Sequence, residues 1–104
     1  MAFTLQSAAY GAEILKALSH PVRLRIIATL AHQPTHVTDL VSDLGISQPV
    51  ISQQLRILRM NKLVSKSREA GFSVYRLSEP NLKDLIETME RCCARREREL
   101  EVHQ

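Results

Sequence analysis

A chain of 104 residues and 11.8 kDa has room for one domain with one modest core, and a domain this small is commonly steadied by dimerisation. Its net charge of +3 and pI near 9.2 permit an anionic partner without demanding one. No apolar run approaches the length of a membrane span, "MAFTLQSAAYGAEIL" lacks the basic start of a signal peptide, and two adjacent cysteines cannot form a disulfide framework, so a soluble cytoplasmic protein with reduced thiols is expected.

The first helix is predicted from Ser7 to Leu18, with Ala8, Gly11, Ile14, Leu15 and Leu18 on one face. "SHP" stops it and starts the second, with Ser19 or His20 before the proline. In "VRLRIIATLAH", Leu24, Ile27, Ala28 and Leu30 or Ala31 point inward, and Arg23 and Arg25 mark a basic N-terminal end. "QPT" breaks that helix, and Thr35 or His36 caps a third, Val37 to Leu44, with Val37, Leu40, Val41 and Leu44 apolar. Gly45 ends it as a residue able to reach positive φ.

A fourth helix follows in "GISQPVISQQLRILRMNKLV". Ser47 is the expected N-cap, and Pro49 lies in the first turn, where its missing N–H costs nothing. Ile51, Leu55 and Leu58 form the buried stripe; Gln48, Ser52, Gln53, Arg56 and Arg59 fall away from it. After Asn61-Lys62 the period becomes two, and "LVSKSREAGFSVYRL" reads as a hairpin turning around Glu69-Ala70-Gly71. "SEPN" then caps a last helix, Asn81 to Leu100, with Leu82, Leu85, Ile86, Met89, Cys93 and Leu100 on one side. The fold class is mostly α with a small β-hairpin, a helix-turn-helix with a wing, in a single domain over residues 1–104.

Charge singles out the middle of this chain. Between His20 and Arg68 stand Arg23, Arg25, Arg56, Arg59, Lys62, Lys66 and Arg68 against only Asp39 and Asp43, whereas beyond Glu69 acids slightly outnumber bases. A helix entering the major groove needs amide and small side chains at its front, because Gln can bond adenine edges and Ser several groups. Cations belong at the flanks, on phosphates. Gln48, Ser52 and Gln53 suit the first role, and Arg56 and Arg59 the second, while the open N–H groups of the first turn suit a phosphate oxygen. The competing reading is an ordinary solvated helix face; the tight turn before the helix and the basic hairpin after it favour double-stranded DNA.

"LKALSHPVRLRIIATL" followed by "VTDLVSDLGISQPVISQQLRILRMNKLVSKSREAGFSVYRL" resembles the ArsR/SmtB family of bacterial winged-helix repressors over about residues 13–90. The resemblance implies a homodimer on an imperfect operator palindrome, with residues 1–18 and 80–104 supplying the pairing helices. It implies Gln48, Ser52 and Gln53 near bases, Arg56 near phosphate or bases, and Lys66 and Arg68 on the wing. At the wing tip Gly71 stands where that family often has Arg or Lys.

Release by a metal ion, metalloid or oxidant is also implied by the resemblance. In the third helix, where that family carries a Cys-rich cluster, this chain has His36 and Asp39 only. The positions matching a second family site are Glu79, Asn81, Cys92 and Arg95, of which Asn is a poor ligand and Arg none. A nickel or zinc site from His103, Glu101 and His20 is a weaker option.

Cys92-Cys93 remain, with three readings open. Soft thiolates favour As(III), Zn(II) or Cu(I), although neighbours on a helix project about 100° apart and As(III) prefers a third thiolate. Arg91, Arg95 and Arg96 nearby suit oxidation or persulfidation. Packing alone, as small apolar residues continuing the Leu82-Ile86-Met89 stripe, is the third. No such ligand is needed for the fold.

Scattered histidines, no Gly-rich phosphate loop and no paired carboxylates argue against an enzyme. A protein-interaction module or a regulator governed by a protein co-regulator is the rival class, since "ARREREL" could extend a helix pair, though its mixed charges suit a solvated helix end.

Overall fold

A computed structural model describes residues 2–102. The elements in chain order are α1 (Leu5–Leu18), α2 (Pro21–His32), β1 (Thr35–His36), α3 (Val37–Leu44), α4 (Gln48–Met60), β2 (Val64–Glu69), β3 (Phe72–Leu77) and α5 (Leu82–Val102). This is the expected winged helix-turn-helix, with one added strand.

Local chemistry explains the helix starts. α1 begins two residues earlier than the apolar pattern suggests, because the Thr4 hydroxyl accepts the Ser7 N–H at 3.0 Å and caps the first turn. His20 rather than Ser19 caps α2: its Nδ1 accepts the Val22 N–H at 3.1 Å, and Pro21 occupies the first helical position. Thr35 belongs to β1, so His36 is left as the N-cap position of α3, without a side-chain cap bond.

The core gathers Leu18, Ile26, Ile27, Leu30, Leu40, Ile51, Leu55 and Leu58 with Val64 and Tyr75 of the wing and Leu82 and Ile86 of α5. In α2 the fully buried residues are Ile26, Ile27 and Leu30; Leu24 and Ala28 stay half-buried. Both point inward and pack against the core from its side, since α5 packs along α2 and they line the groove between the two helices. On α5, Leu82 and Ile86 are buried, Leu85 and Met89 half-buried, and Cys93 and Leu100 exposed, so the expected stripe leaves the protomer core beyond Met89.

The sheet has strand order β1-β3-β2. Val64 pairs with Leu77 and Glu69 with Phe72, which places Ala70 and Gly71 in a two-residue turn with φ of 51° and 84°. Both left-handed values suit the primed turn that matches strand twist. β1 was not expected: Thr35 pairs with Tyr75 and His36 with Val74, stitching the entry of α3 to the wing.

Candidate nucleic-acid interface

The turn between α3 and α4 sets the reading helix. Gly45 closes α3 with φ 66° and donates its N–H to the Val41 carbonyl at 3.0 Å. Nothing lies within 4 Å of where a Cβ would stand, so backbone conformation, not space, is what requires glycine there. Ile46 tucks half-buried against the core, and the chain re-enters a helix at Ser47, whose carbonyl accepts the Ile51 N–H at 3.1 Å. The Ser47 hydroxyl makes no cap bond, contrary to the capping role expected of it, and the residue is exposed.

α4 divides its residues as the sequence suggests. Ile51, Leu55 and Leu58 are fully buried, while Gln48, Pro49, Ser52, Gln53, Arg56 and Arg59 are exposed. At about 100° per residue, Pro49, Gln53, Arg56 and Met60 run along the line opposite the buried stripe, with Ser52 beside them. The front of that face is neutral and the rear cationic. Met60, 72% exposed, ends that line, and Val50, exposed near the start of the helix, flanks it. Val50 is suited to a thymine methyl.

Gln54 is the amide that sequence reasoning left unassigned, and it points inward, buried. Its position three residues after Ile51 and next to Leu55 was the available signal. Arg23, one of the cations in the middle of the chain, is its partner: Arg23 Nη1 donates to Gln54 Oε1 at 2.8 Å.

Behind α4 the wing adds its cations. Arg56, Arg59 and Met60 line one groove with Val64, Ser65 and Lys66, so three charges expected from the sequence to act on DNA meet in one place. The Lys66 ammonium stands 6.0 Å from the Tyr75 ring centroid, a cation–π distance. Arg68 folds over the wing turn and donates from Nη2 to the Gly71 carbonyl at 3.1 Å. A guanidinium thus reaches the tip although the tip residue itself is glycine. Arg76, by contrast, is held by Glu69 at 3.5 Å and Ser67 at 3.4 Å on the other face of the hairpin.

The candidate effector residues do not converge. His36 sits at the start of α3 with its ring stacked on Phe72, Asp39 is exposed on α3, and Cys92 and Cys93 are free and exposed on α5. Cys92 and Cys93 share a shallow concavity with Arg95, Arg96 and Glu99. Glu79 is occupied with Asn81, accepting its backbone N–H at 3.3 Å and its side-chain amide at 3.0 Å. Among the described residues no three His, Cys, Asp or Glu side chains come together as a metal-binding group; His103, one of the ligands considered above, lies outside those residues. No helix among the described residues is long and apolar enough to cross a membrane.

A family model described as "Bacterial regulatory protein, arsR family" matches residues 20–66, which run from the α2 cap through α4 into the wing. The biofilm growth-associated repressor of Xylella fastidiosa is 40% identical over 78 residues, 75% of this chain and 68% of that protein. The chain belongs to the arsR family of bacterial regulatory proteins. As an arsR-family protein it is a DNA-binding transcriptional regulator and not an enzyme. The HTH-type transcriptional regulator NmtR of Mycobacterium tuberculosis is 39% identical over 82 residues, covering 79% of this chain and 68% of NmtR. Among solved structures, HlyU from Vibrio cholerae aligns with a TM-score of 0.79 at 34% identity, over 86% of this chain and 97% of HlyU. The transcriptional repressor BigR from Xylella fastidiosa aligns with a TM-score of 0.79 at 37% identity, over 84% of this chain and 89% of BigR. This arsR-family chain therefore shares the winged-helix architecture of such regulators over more than four fifths of its length.

Proposed function

We propose that this arsR-family chain is a cytoplasmic homodimeric repressor that reads one half of an operator palindrome with each α4. In this reading Gln48, Ser52 and Gln53 face base edges in the major groove, and Ser47 and Pro49 bring the backbone N–H groups at the front of α4 towards a phosphate. Arg56, Arg59 and Lys66 neutralise phosphates, and Arg68 carries the wing onto the flanking duplex. The observation that carries the reading is the polarity of α4: a neutral, amide-bearing front and a rear whose cations gather with Lys66 in one groove.

Pairing through α1 and α5 is supported by the apolar side chains that α1 leaves uncovered, Leu5 at 89% exposure and Leu15 at 53% among them. Control by thiol chemistry is supported by the grouping of Cys92 and Cys93 with Arg95 and Arg96 around one concavity.

The deciding experiment is fluorescence anisotropy on duplex DNA from upstream of the gene, compared with random duplex, across a salt series. Gln53→Ala is expected to lose discrimination by about 1–3 kcal/mol, while Arg56→Ala weakens both duplexes and lowers the salt slope by about 1. Unchanged affinity in both variants would remove α4 from the groove.

A further inference from the structure

We propose that Arg23 is a positioning residue that fixes α4 against α1 and so aims Gln53, acting through Gln54. The proposal rests on the DNA-binding reading of α4.

Arg23 sits in the first turn of α2, where a cation facing solvent would sit poorly with the positive end of the helix dipole. Its guanidinium is instead turned partly inward. The side chain is half-buried, its Nε donates to the Ala17 carbonyl at 2.6 Å, and its Nη1 donates to Gln54 Oε1 at 2.8 Å. The Ala17 carbonyl lies in the last turn of α1, where no further helical N–H is available to it. One planar guanidinium therefore ties three helices, and the fork geometry allows both bonds at fixed angles.

Two surroundings give that tie a mechanical role. α1 and α4 do not close on each other at this level: Glu13, Lys16, Ala17, Arg23, Ile57 and Asn61 line an open recess between them. The polar bridge spans what apolar packing leaves loose. Gln54 is also one of only two buried polar residues among those described, the other being Thr35. It is the immediate neighbour of Gln53, so the amide that is held and the amide that faces out are adjacent on one helix. Rotation of α4 about its axis is resisted at Gln54 and read at Gln53. Since α1 also carries the uncovered apolar face, the bridge makes the aim of α4 depend on how α1 is seated.

The test compares the native chain with Arg23→Met, Gln54→Leu, the double variant and Gln54→Glu, using operator and random duplexes over a salt series. Each single substitution is expected to reduce the operator-to-random affinity ratio about tenfold while leaving the salt slope of binding unchanged, because no phosphate contact is lost. The double variant should be no worse than the weaker single, since the second change removes a partner already lost. Gln54→Glu, which keeps an acceptor for the guanidinium, should hold the ratio within about twofold.

A salt slope flattened in Arg23→Met, as expected for Arg56→Ala, would make Arg23 a phosphate contact and overturn the proposal. So would an unchanged ratio in either single, or losses that add in the double variant. If Arg23→Met does not fold, the contrast between Gln54→Leu and Gln54→Glu decides the matter alone. A native chain with no salt-dependent DNA binding would bring down the reading of α4 and this proposal together.

Discussion

The imidazole of His36 stacks on the Phe72 ring, with centroids 5.1 Å apart and planes inclined by 24°. His36 opens α3 and Phe72 opens β3, so the contact joins the helix-turn-helix to its wing beside the β1–β3 pairing. A residue that the sequence offers as a metal ligand thus also has an aromatic partner for its ring face.

Aromatic pairs of this kind contribute about 0.5–1.5 kcal/mol beyond simple burial. Phe72 is half exposed, so the lower part of that range applies. His36→Ala and Phe72→Ala should each lower the urea midpoint without changing its slope, and the double variant should lose less than their sum by about 0.5 kcal/mol. Strict additivity would reduce the two rings to neighbours.

A second expectation concerns the end of α4. Asn61 caps the helix, Lys62 takes φ 61°, and the Lys62 and Leu63 N–H groups return to Arg59 and Leu58 carbonyls at 2.9 and 3.0 Å. That is a Schellman ending with lysine where glycine is normally found. Left-handed backbone costs an L-residue about 1–2 kcal/mol, partly offset by the greater chain entropy glycine brings to the unfolded state. Lys62→Gly should therefore raise stability by up to about 1 kcal/mol, or about 4–8 °C in Tm by calorimetry for a domain of this size. A lowered Tm would mean that the Lys62 side chain carries contacts outweighing its backbone strain.

Lys62 and Gly45 show why so much of the fold was legible. Both mark chain reversals by residue type or by a change of period, and those signals are local. The stripe Ile51-Leu55-Leu58 and the outward face of Gln53 and Arg56 were readable for the same reason. What was hidden is non-local. β1 is two residues long and has no period to detect; only its pairing with Val74 and Tyr75 makes it a strand. Arg23 and Gln54 lie 31 residues apart, and nothing in either segment alone says that one amide of a Gln-Gln pair is buried under a guanidinium. How deeply Leu24, Ala28 and Cys93 lie was not legible either, because the direction from which α5 approaches α2 is set by the whole core.

The uncovered face of α1 gives a third expectation. Leu15 is 53% exposed in the protomer, so Leu15→Glu should leave helix content by circular dichroism unchanged. If α1 pairs with its counterpart, the native protein should sediment at twice the 11.8 kDa chain mass at micromolar concentration and the variant at that mass. Operator affinity should then fall on the order of 100-fold, because two half-sites are no longer engaged by one linked unit. A native monomer under these conditions would end the dimer reading.

The geometry of the thiol pair constrains what it can bind. Cys92 and Cys93 are consecutive in α5, so their side chains diverge by about 100° and cannot chelate one ion without unwinding the helix. Both are exposed in the protomer, Arg95 and Arg96 line the same concavity, and Cys93 also borders the groove between α2 and α5. Mild oxidation should lower operator affinity at least tenfold, reversibly on reduction, whereas Zn(II) or Ni(II) should leave it unchanged. The Cys92→Ser/Cys93→Ser protein should bind as tightly as the reduced native chain and ignore the oxidant. Release that survives this double substitution would move the sensor away from α5; release by As(III) alone, abolished by the same substitution, would replace oxidation with metalloid binding across two protomers. Native binding that neither oxidant nor As(III) disturbs would leave the two cysteines as part of the α5 pairing surface.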